Sequence, residues 1–123
     1  MQKYHRFGRL VLTAAFVSAA VAQAQNSITL VNTSPAGAFY SVDGQNTQEP
    51  TSGLWPAGSK HVLSVSDTAQ TNLVSGEQLV FQNWQWAQGT FVNPTITVTS
   101  DPAITSYTAV FNVFYSLTIS FSQ

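Results

Sequence analysis

The sequence of 123 residues contains no cysteine and very few charged side chains. Without cysteine, no disulfide can hold the fold together and no thiolate is available as a nucleophile or a zinc ligand. Charged residues make up only 7% of the chain, and Lys60 is the sole lysine or arginine after residue 24. Binding to nucleic acid or to an anionic membrane surface needs clustered basic groups, so neither partner is expected.

The N-terminal segment differs from the rest of the chain. Lys3, Arg6 and Arg9 precede an uncharged apolar run at 10–22, and Ala22-Gln23-Ala24 follows as a small-x-small motif. This order is typical of a secretory signal peptide, here covering residues 1–24. A retained membrane anchor is the alternative, but the run is shorter than the roughly 20 residues that a spanning helix needs. We therefore predict a secreted, periplasmic or cell-surface protein with no membrane association after signal cleavage.

Residues 25–123 show alternation of polar and apolar side chains and no sustained helical periodicity. Runs rich in β-branched and aromatic residues recur about every 8–14 residues, which predicts an all-β fold. The expected architecture is a single immunoglobulin-like antiparallel β-sandwich of about seven strands. Residues 45–58 are expected to be a connection with an edge segment near Leu54-Trp55, and 67–77 a polar loop. The predicted strands are 26–32, 38–44, 60–66, 78–86, 93–100, 104–111 and 113–121.

The strand FQNWQW at 81–86 carries two tryptophans. Phe81 and Trp84 are three residues apart, so a regular strand would turn them to opposite faces. If both are core residues, a β-bulge is needed near Gln82-Asn83, and Trp86 then falls on the same side as Trp84. We expect Trp84 to anchor the core, whereas the sequence leaves open whether Trp86 is buried or partly exposed.

The two ends of the predicted domain resemble each other. SITLVNTS at 27–34 aligns with SLTISFSQ at 116–123 through the pattern Ser-Ile-Thr-Leu against Ser-Leu-Thr-Ile. Recurrence at a domain-sized interval is a signature of repeat arrays. The last predicted strand, 113–121, therefore either completes this sandwich or begins a further repeat.

Two longer stretches resemble known bacterial modules. VNTSPAGAFYSVDG at 31–44 and PAGSKHVLSV at 56–65 are similar to PEGA-type domains of envelope proteins. FQNW at 81–84, TITV at 95–98 and SYTAVFNVFYSLTIS at 106–120 are similar to divergent internalin-B-type repeats. The resemblance implies an extracellular all-β spacer or adhesion module, often in tandem, with no catalytic residues to carry over. The chain departs from these patterns in its loop 67–77 and in Trp86.

The residues that carry chemistry are sparse. His61 is the only histidine after residue 24, and a structural hydrogen bond at a turn is a simpler role for it than catalysis. The five acidic residues form no pair with glycosidase spacing, so no enzyme activity is expected. Asp43, Asn46 and Glu49 share one predicted loop, but their spacing is not that of an EF-hand. We therefore expect neither a cofactor nor a metal.

Two functions from different classes follow from these patterns. The first is a secreted, non-catalytic structural or adhesion module, whose partners are further repeats of the same parent protein or an extracellular glycan or protein. The alternative is a carbohydrate-binding module in which Trp86 and Trp55 stack on sugar rings, because flat aromatic side chains offer large contact area at low entropic cost.

Overall fold

The computed structural model describes residues 25–72, 75–115 and 119–122, and the regular elements in these ranges are all β-strands. The prediction of an all-β fold is confirmed, and the predicted signal peptide lies outside the described residues. In chain order the strands are β1 (Asn26–Ser34), β2 (Tyr40–Val42), β3 (Gln45–Thr47), β4 (Thr51–Pro56), β5 (Lys60–Ser64), β6 (Ala69–Thr71), β7 (Glu77–Trp86), β8 (Gly89–Phe91), β9 (Thr95–Thr99) and β10 (Ser106–Tyr115).

The strands form two sheets, which we call the large sheet and the small sheet. The large sheet has the order β4-β1-β10-β7-β6, and β8 also pairs with β7. The small sheet has the order β3-β2-β5-β9. Neighbouring strands run antiparallel except for β1 and β10, which are parallel. The predicted antiparallel β-sandwich is therefore confirmed, apart from this one parallel pairing, which the prediction did not include.

The core lies between the two sheets and is filled by alternate side chains of each long strand. In β9, Ile96 and Val98 are buried while the three threonines are exposed, as the alternation predicted. Trp84 has no exposed surface, and its indole Nε1–H donates to the Pro94 carbonyl at 3.0 Å. This hydrogen bond satisfies the one polar atom that burial of the ring takes away from water. The prediction of Trp84 as a core anchor is confirmed.

The bulge predicted in β7 is present. Phe81 is opposite Phe111 and Asn83 is opposite Val110, so Gln82 is an extra residue in β7 without a partner in β10. Because of this extra residue, Phe81 and Trp84 both turn to the core. Trp86 then follows on the same side as Trp84, two positions along the strand.

The buried face of β1 carries Thr29, Val31 and Thr33. Ile28 is on the opposite face and is 70% exposed, beside Leu54 of β4 at 64%. The face of β1 with the more apolar side chains is therefore the solvent-exposed one. The core between the sheets sets the buried face here, because Val31 belongs to it together with Tyr40 and Leu63 of the small sheet.

Three segments differ from the sequence prediction. The polar loop 67–77 contains the short strand β6, which pairs with the first half of β7. Residues 45–58 contain β3 and β4, and β4 is the edge strand expected near Leu54-Trp55. The two predicted strands at 104–111 and 113–121 are replaced by β10, because the length of β7 lets pairing continue past Asn112. Residues 116–118 lie outside the described residues, and Ile119 and Phe121 are exposed and not in a strand.

Candidate functional site

Among the described residues, Asp43 is the only acidic residue that contacts His61, and a tight hairpin turn positions its carboxylate. Asp43 and Gly44 link β2 to β3 with positive φ angles of 49° and 82°, which is the geometry of a two-residue hairpin turn. The turn directs the Asp43 carboxylate over β5. Its Oδ1 accepts the Val62 N–H at 2.8 Å, and its Oδ2 lies 2.7 Å from Nδ1 of His61.

A second turn brings a serine to the other side of the same imidazole. Gly58 has a φ of 81°, and the Ser59 N–H closes the turn by donating to the Pro56 carbonyl at 3.0 Å. Ser59 directly precedes β5 and His61 is its second residue, and their side chains contact each other. Ser59 Oγ lies 2.8 Å from Nε2 of His61.

Ser59, His61 and Asp43, which we call the hydroxyl–imidazole–carboxylate cluster, have the contact order of a serine-hydrolase triad. A triad also needs a hydroxyl free to attack and backbone donors for the developing oxyanion. Here Ser59 Oγ donates to the Pro56 carbonyl at 2.6 Å, which takes the hydroxyl proton away from the imidazole.

The backbone donors next to this serine are also engaged. The N–H groups of Ala57, Gly58 and Ser59 donate to the carbonyls of Gln25, Ser100 and Pro56, respectively. None of these three N–H groups is therefore available to an oxyanion. The cluster thus has the side chains of a triad, with its hydroxyl and the three neighbouring N–H groups engaged in internal hydrogen bonds.

The same contacts act on the carboxylate. Partial burial raises the pKa of Asp43, but the hydrogen bonds from His61 and from the Val62 N–H, together with the charge of the imidazole, outweigh burial. The net result is an Asp43 pKa below the usual range. The cluster therefore holds an ionised carboxylate that connects the β2–β3 turn to β5, and through Ser59 to the β4–β5 turn.

The predicted sugar-stacking role of Trp55 requires an exposed ring, which the structure does not provide. Trp55 is in β4, is 6% exposed, and stacks on His61 with ring centroids 3.8 Å apart and planes 8° from parallel. Gly53 makes room for this arrangement, since a Cβ at that position would lie 2.5 Å from the indole Nε1. The ring is therefore part of the core and offers no free face to a sugar.

Trp86 is half-buried and also has a ring on one face. Phe91 of β8 stacks on it at 4.8 Å with planes 4° apart, and Tyr107 lies at 5.3 Å. Tyr107 is in turn 6.1 Å from Trp55, so the structure brings both predicted tryptophans to one tyrosine inside the sandwich. The rings form a row, in the order Phe91, Trp86, Tyr107, Trp55 and His61. Packing against neighbouring rings therefore explains the positions of both tryptophans.

One concave surface presents an exposed aromatic ring. A cavity of about 320 Å³ lies between the loop after β1, the start of β2 and the edge strand β6. We call it the Phe39 groove. Its lining includes Pro35, Phe39, Gln48, Gln70, Thr71 and Glu77.

Local sequence patterns do not indicate this groove, because its residues come from separate segments that only the topology brings together. They also miss the hydroxyl–imidazole–carboxylate cluster, although two of its elements are visible in the sequence. The Asp43-Gly44 turn is predicted, and Ser59 and His61 lie two residues apart where a predicted strand begins. The position of the turn over β5 depends on strand order, which no local pattern predicts.

Comparison of the chain with protein-family models, with curated proteins and with solved structures finds no match. The resemblance to PEGA-type and internalin-B-type modules therefore stays a prediction. Among the described residues, no three His, Asp or Glu side chains are grouped so that they could hold a metal ion. In the same ranges, no helix has the length and apolar character needed to cross a membrane.

Proposed function

We propose that the protein is an exported, non-catalytic structural or adhesion-type module of a bacterial envelope or extracellular protein, and that it carries mechanical load. The observation that carries this proposal is the parallel pairing of β1 with β10. These are the first and last strands of the described residues, and they pair from Leu30–Ser106 to Ser34–Val110.

The mechanical argument follows from strand direction. In a parallel pair, the N-terminal end of one strand and the C-terminal end of the other lie at opposite ends of the ladder. A force that pulls these two ends apart acts along the strands and loads the interstrand hydrogen bonds together, in shear. In an antiparallel hairpin the same force would open the bonds one after another. Shear loading therefore requires several backbone hydrogen bonds to break at once.

A side-chain hydrogen bond supports the same interface. Thr108 Oγ1 donates to Asn32 Oδ1 at 2.7 Å, and these two residues are direct partners in the β1–β10 register. Cross-strand polar pairs of this kind add to the stability of the ladder.

The non-catalytic part of the proposal is supported by the hydroxyl–imidazole–carboxylate cluster. Its hydroxyl and the neighbouring backbone N–H groups are committed to internal hydrogen bonds. The apparent triad is thereby explained as a connection between two turns, with Trp55 stacked on its imidazole. The signal-peptide pattern and the repeat-like motifs of the sequence support export and an extracellular structural role.

A hydrolysis assay tests the non-catalytic part. Native protein and a Ser59→Ala variant are incubated with activated esters and with a fluorophosphonate probe. We expect equal background hydrolysis and no covalent labelling of Ser59, because its proton is held by the Pro56 carbonyl. Hydrolysis or labelling that disappears with Ser59→Ala would contradict the proposal. The load-bearing part is tested by pulling single molecules across the β1–β10 pair.

A further inference from the structure

The Phe39 groove has the shape of a ligand site. Its volume of about 320 Å³ falls within the range of roughly 300–1,000 Å³ that small-molecule sites occupy. Its walls combine apolar groups, such as Pro35 and Leu79, with amide, hydroxyl and carboxylate side chains. A site with one aromatic ring and several polar groups suits a ligand that has both an apolar face and hydrogen-bonding edges.

The main chain that carries the ring is held in place. Gln70 is buried, and its Oε1 accepts the Phe39 N–H at 2.7 Å. Its Nε2 donates to the Phe39 carbonyl at 2.8 Å and to the Asp67 carbonyl at 2.9 Å. The side-chain amide thus pairs with Phe39 as a neighbouring strand would and fixes β2 against β6. Gln48 Nε2 also donates to the Gly37 carbonyl at 3.2 Å, which holds the opposite wall.

The ring itself remains free to make contacts. Phe39 is 53% exposed, although the backbone on both sides of it is anchored. A side chain presented in this way loses little conformational freedom when a ligand stacks on it. Trp55 and Trp86, by contrast, already have aromatic partners on their faces.

The charge of the groove restricts the class of ligand. Glu77 is the only ionisable side chain among the described residues of the lining, so these residues offer no cation to attract an acidic ligand. A carboxylate accepts strong hydrogen bonds from hydroxyl groups, and amides both donate and accept. The aromatic ring therefore complements the apolar face of an uncharged sugar, and the amides and the one carboxylate complement its hydroxyl groups.

We infer that the Phe39 groove binds a sugar unit of a neutral polysaccharide, with Phe39 stacking on the ring and Glu77 accepting its hydroxyl groups. This inference goes beyond the proposed structural role and does not depend on it. It would give the module an adhesive surface on the side of the sandwich where β2 and β6 meet.

The test uses the folded protein, a panel of soluble neutral polysaccharides (cellulose-, xylan-, β-glucan- and chitin-derived) and acidic ones (alginate and polygalacturonate). Binding is measured by affinity electrophoresis, and the site is located by amide chemical-shift mapping with the matching oligosaccharides at millimolar concentration. The variants are Phe39→Ala, Glu77→Gln and, as a matched control, Phe114→Ala. Phe114 is 52% exposed, so it tests for non-specific binding to an accessible phenyl ring.

We expect retardation by at least one neutral polysaccharide and none by the acidic ones, with shifts centred on the amides of Gly37, Phe39 and Thr71. Phe39→Ala should weaken binding by about five- to tenfold, the equivalent of one aromatic contact. Glu77→Gln should cause a smaller loss, and Phe114→Ala none. Thermal unfolding checks that Phe39→Ala stays folded.

Several results would overturn the inference. They are no binding across the neutral panel, shifts that lie away from the groove, equal weakening by Phe39→Ala and Phe114→Ala, or a preference for the acidic polysaccharides. If Phe39→Ala proves unfolded, the inference is decided by chemical-shift mapping on the native protein and by the binding of the Glu77→Gln variant. Binding of a proline-rich peptide or of a second copy in the groove, without sugar binding, would also contradict it.

Discussion

The hydrogen bond between Thr108 and Asn32 allows a direct test of the load-bearing interface. Thr108→Val replaces a hydroxyl by a methyl group of similar size, so the strand keeps its shape and loses one cross-strand hydrogen bond. The bond is 2.7 Å long and joins half-buried side chains of β1 and β10. Because this is the parallel interface, its loss should affect mechanical resistance as well as stability.

The magnitude follows from the burial of the pair. A typical intramolecular hydrogen bond contributes about 0.5–1.5 kcal/mol, and water can replace part of the loss at a half-buried site, so we expect about 0.5–1 kcal/mol. For a domain of this size, this corresponds to a fall in Tm of about 2–8 °C. The free energy of unfolding is measured by urea denaturation and Tm by calorimetry.

The small sheet supplies a matched control. Ser64 and Thr95 form a comparable hydroxyl pair at 2.8 Å between β5 and β9, and Thr95→Val removes it by the same substitution. We expect Thr108→Val, but not Thr95→Val, to lower the unfolding force when the protein is pulled across β1 and β10. Equal effects of the two variants on the unfolding force, or none from Thr108→Val despite a lower Tm, would refute the assignment of the load to this interface.

Two further predictions concern the core and the hydroxyl–imidazole–carboxylate cluster. Gly53→Ala would place a Cβ 2.5 Å from Nε1 of Trp55, so the indole has to leave its stack on His61. We expect the free energy of unfolding, measured by urea denaturation, to fall by about 1–3 kcal/mol. An unchanged or higher stability would contradict the packing described. Because the pKa of Asp43 is lower in the folded than in the unfolded chain, its contribution to stability is present above the unfolded value and is lost as pH falls through the folded one. The difference in Tm between the native protein and Asp43→Asn should therefore shrink as the pH is lowered from about 5 to about 2. A difference that stays constant over this range would show that the carboxylate is not stabilised by these contacts.

The fold class and much of the core are predictable from local patterns. Alternation indicates most of the strands and the buried face of β9, and the spacing of Phe81 and Trp84 indicates the bulge. These features depend on neighbours in sequence and on the two-residue period of a strand. The Asp43-Gly44 turn is predictable for the same reason, since its φ angles are a local property.

Features that depend on strand order are not predictable in this way. The exposed position of Ile28 follows from the small sheet packing on the opposite face of β1, where Val31 lies in the core, and the burial of Trp55 goes with its stacking on His61. Composition alone favours the opposite result in both cases, because Ile28 is apolar and Trp55 lies in a glycine- and proline-rich segment. The parallel β1–β10 pair and the Phe39 groove join segments far apart in the chain, so no local pattern indicates them.

The direction of pulling tests the central claim most directly. The chain has no cysteine, so attachment points can be introduced in pairs. Gln25→Cys with Ser122→Cys loads β1 and β10 in shear, whereas Gln25→Cys with Thr105→Cys pulls at one end of the same pair and peels it open. We predict a clearly higher unfolding force in the first geometry at the same loading rate. Equal forces in the two geometries, or a higher force in the second, would contradict a load-bearing role.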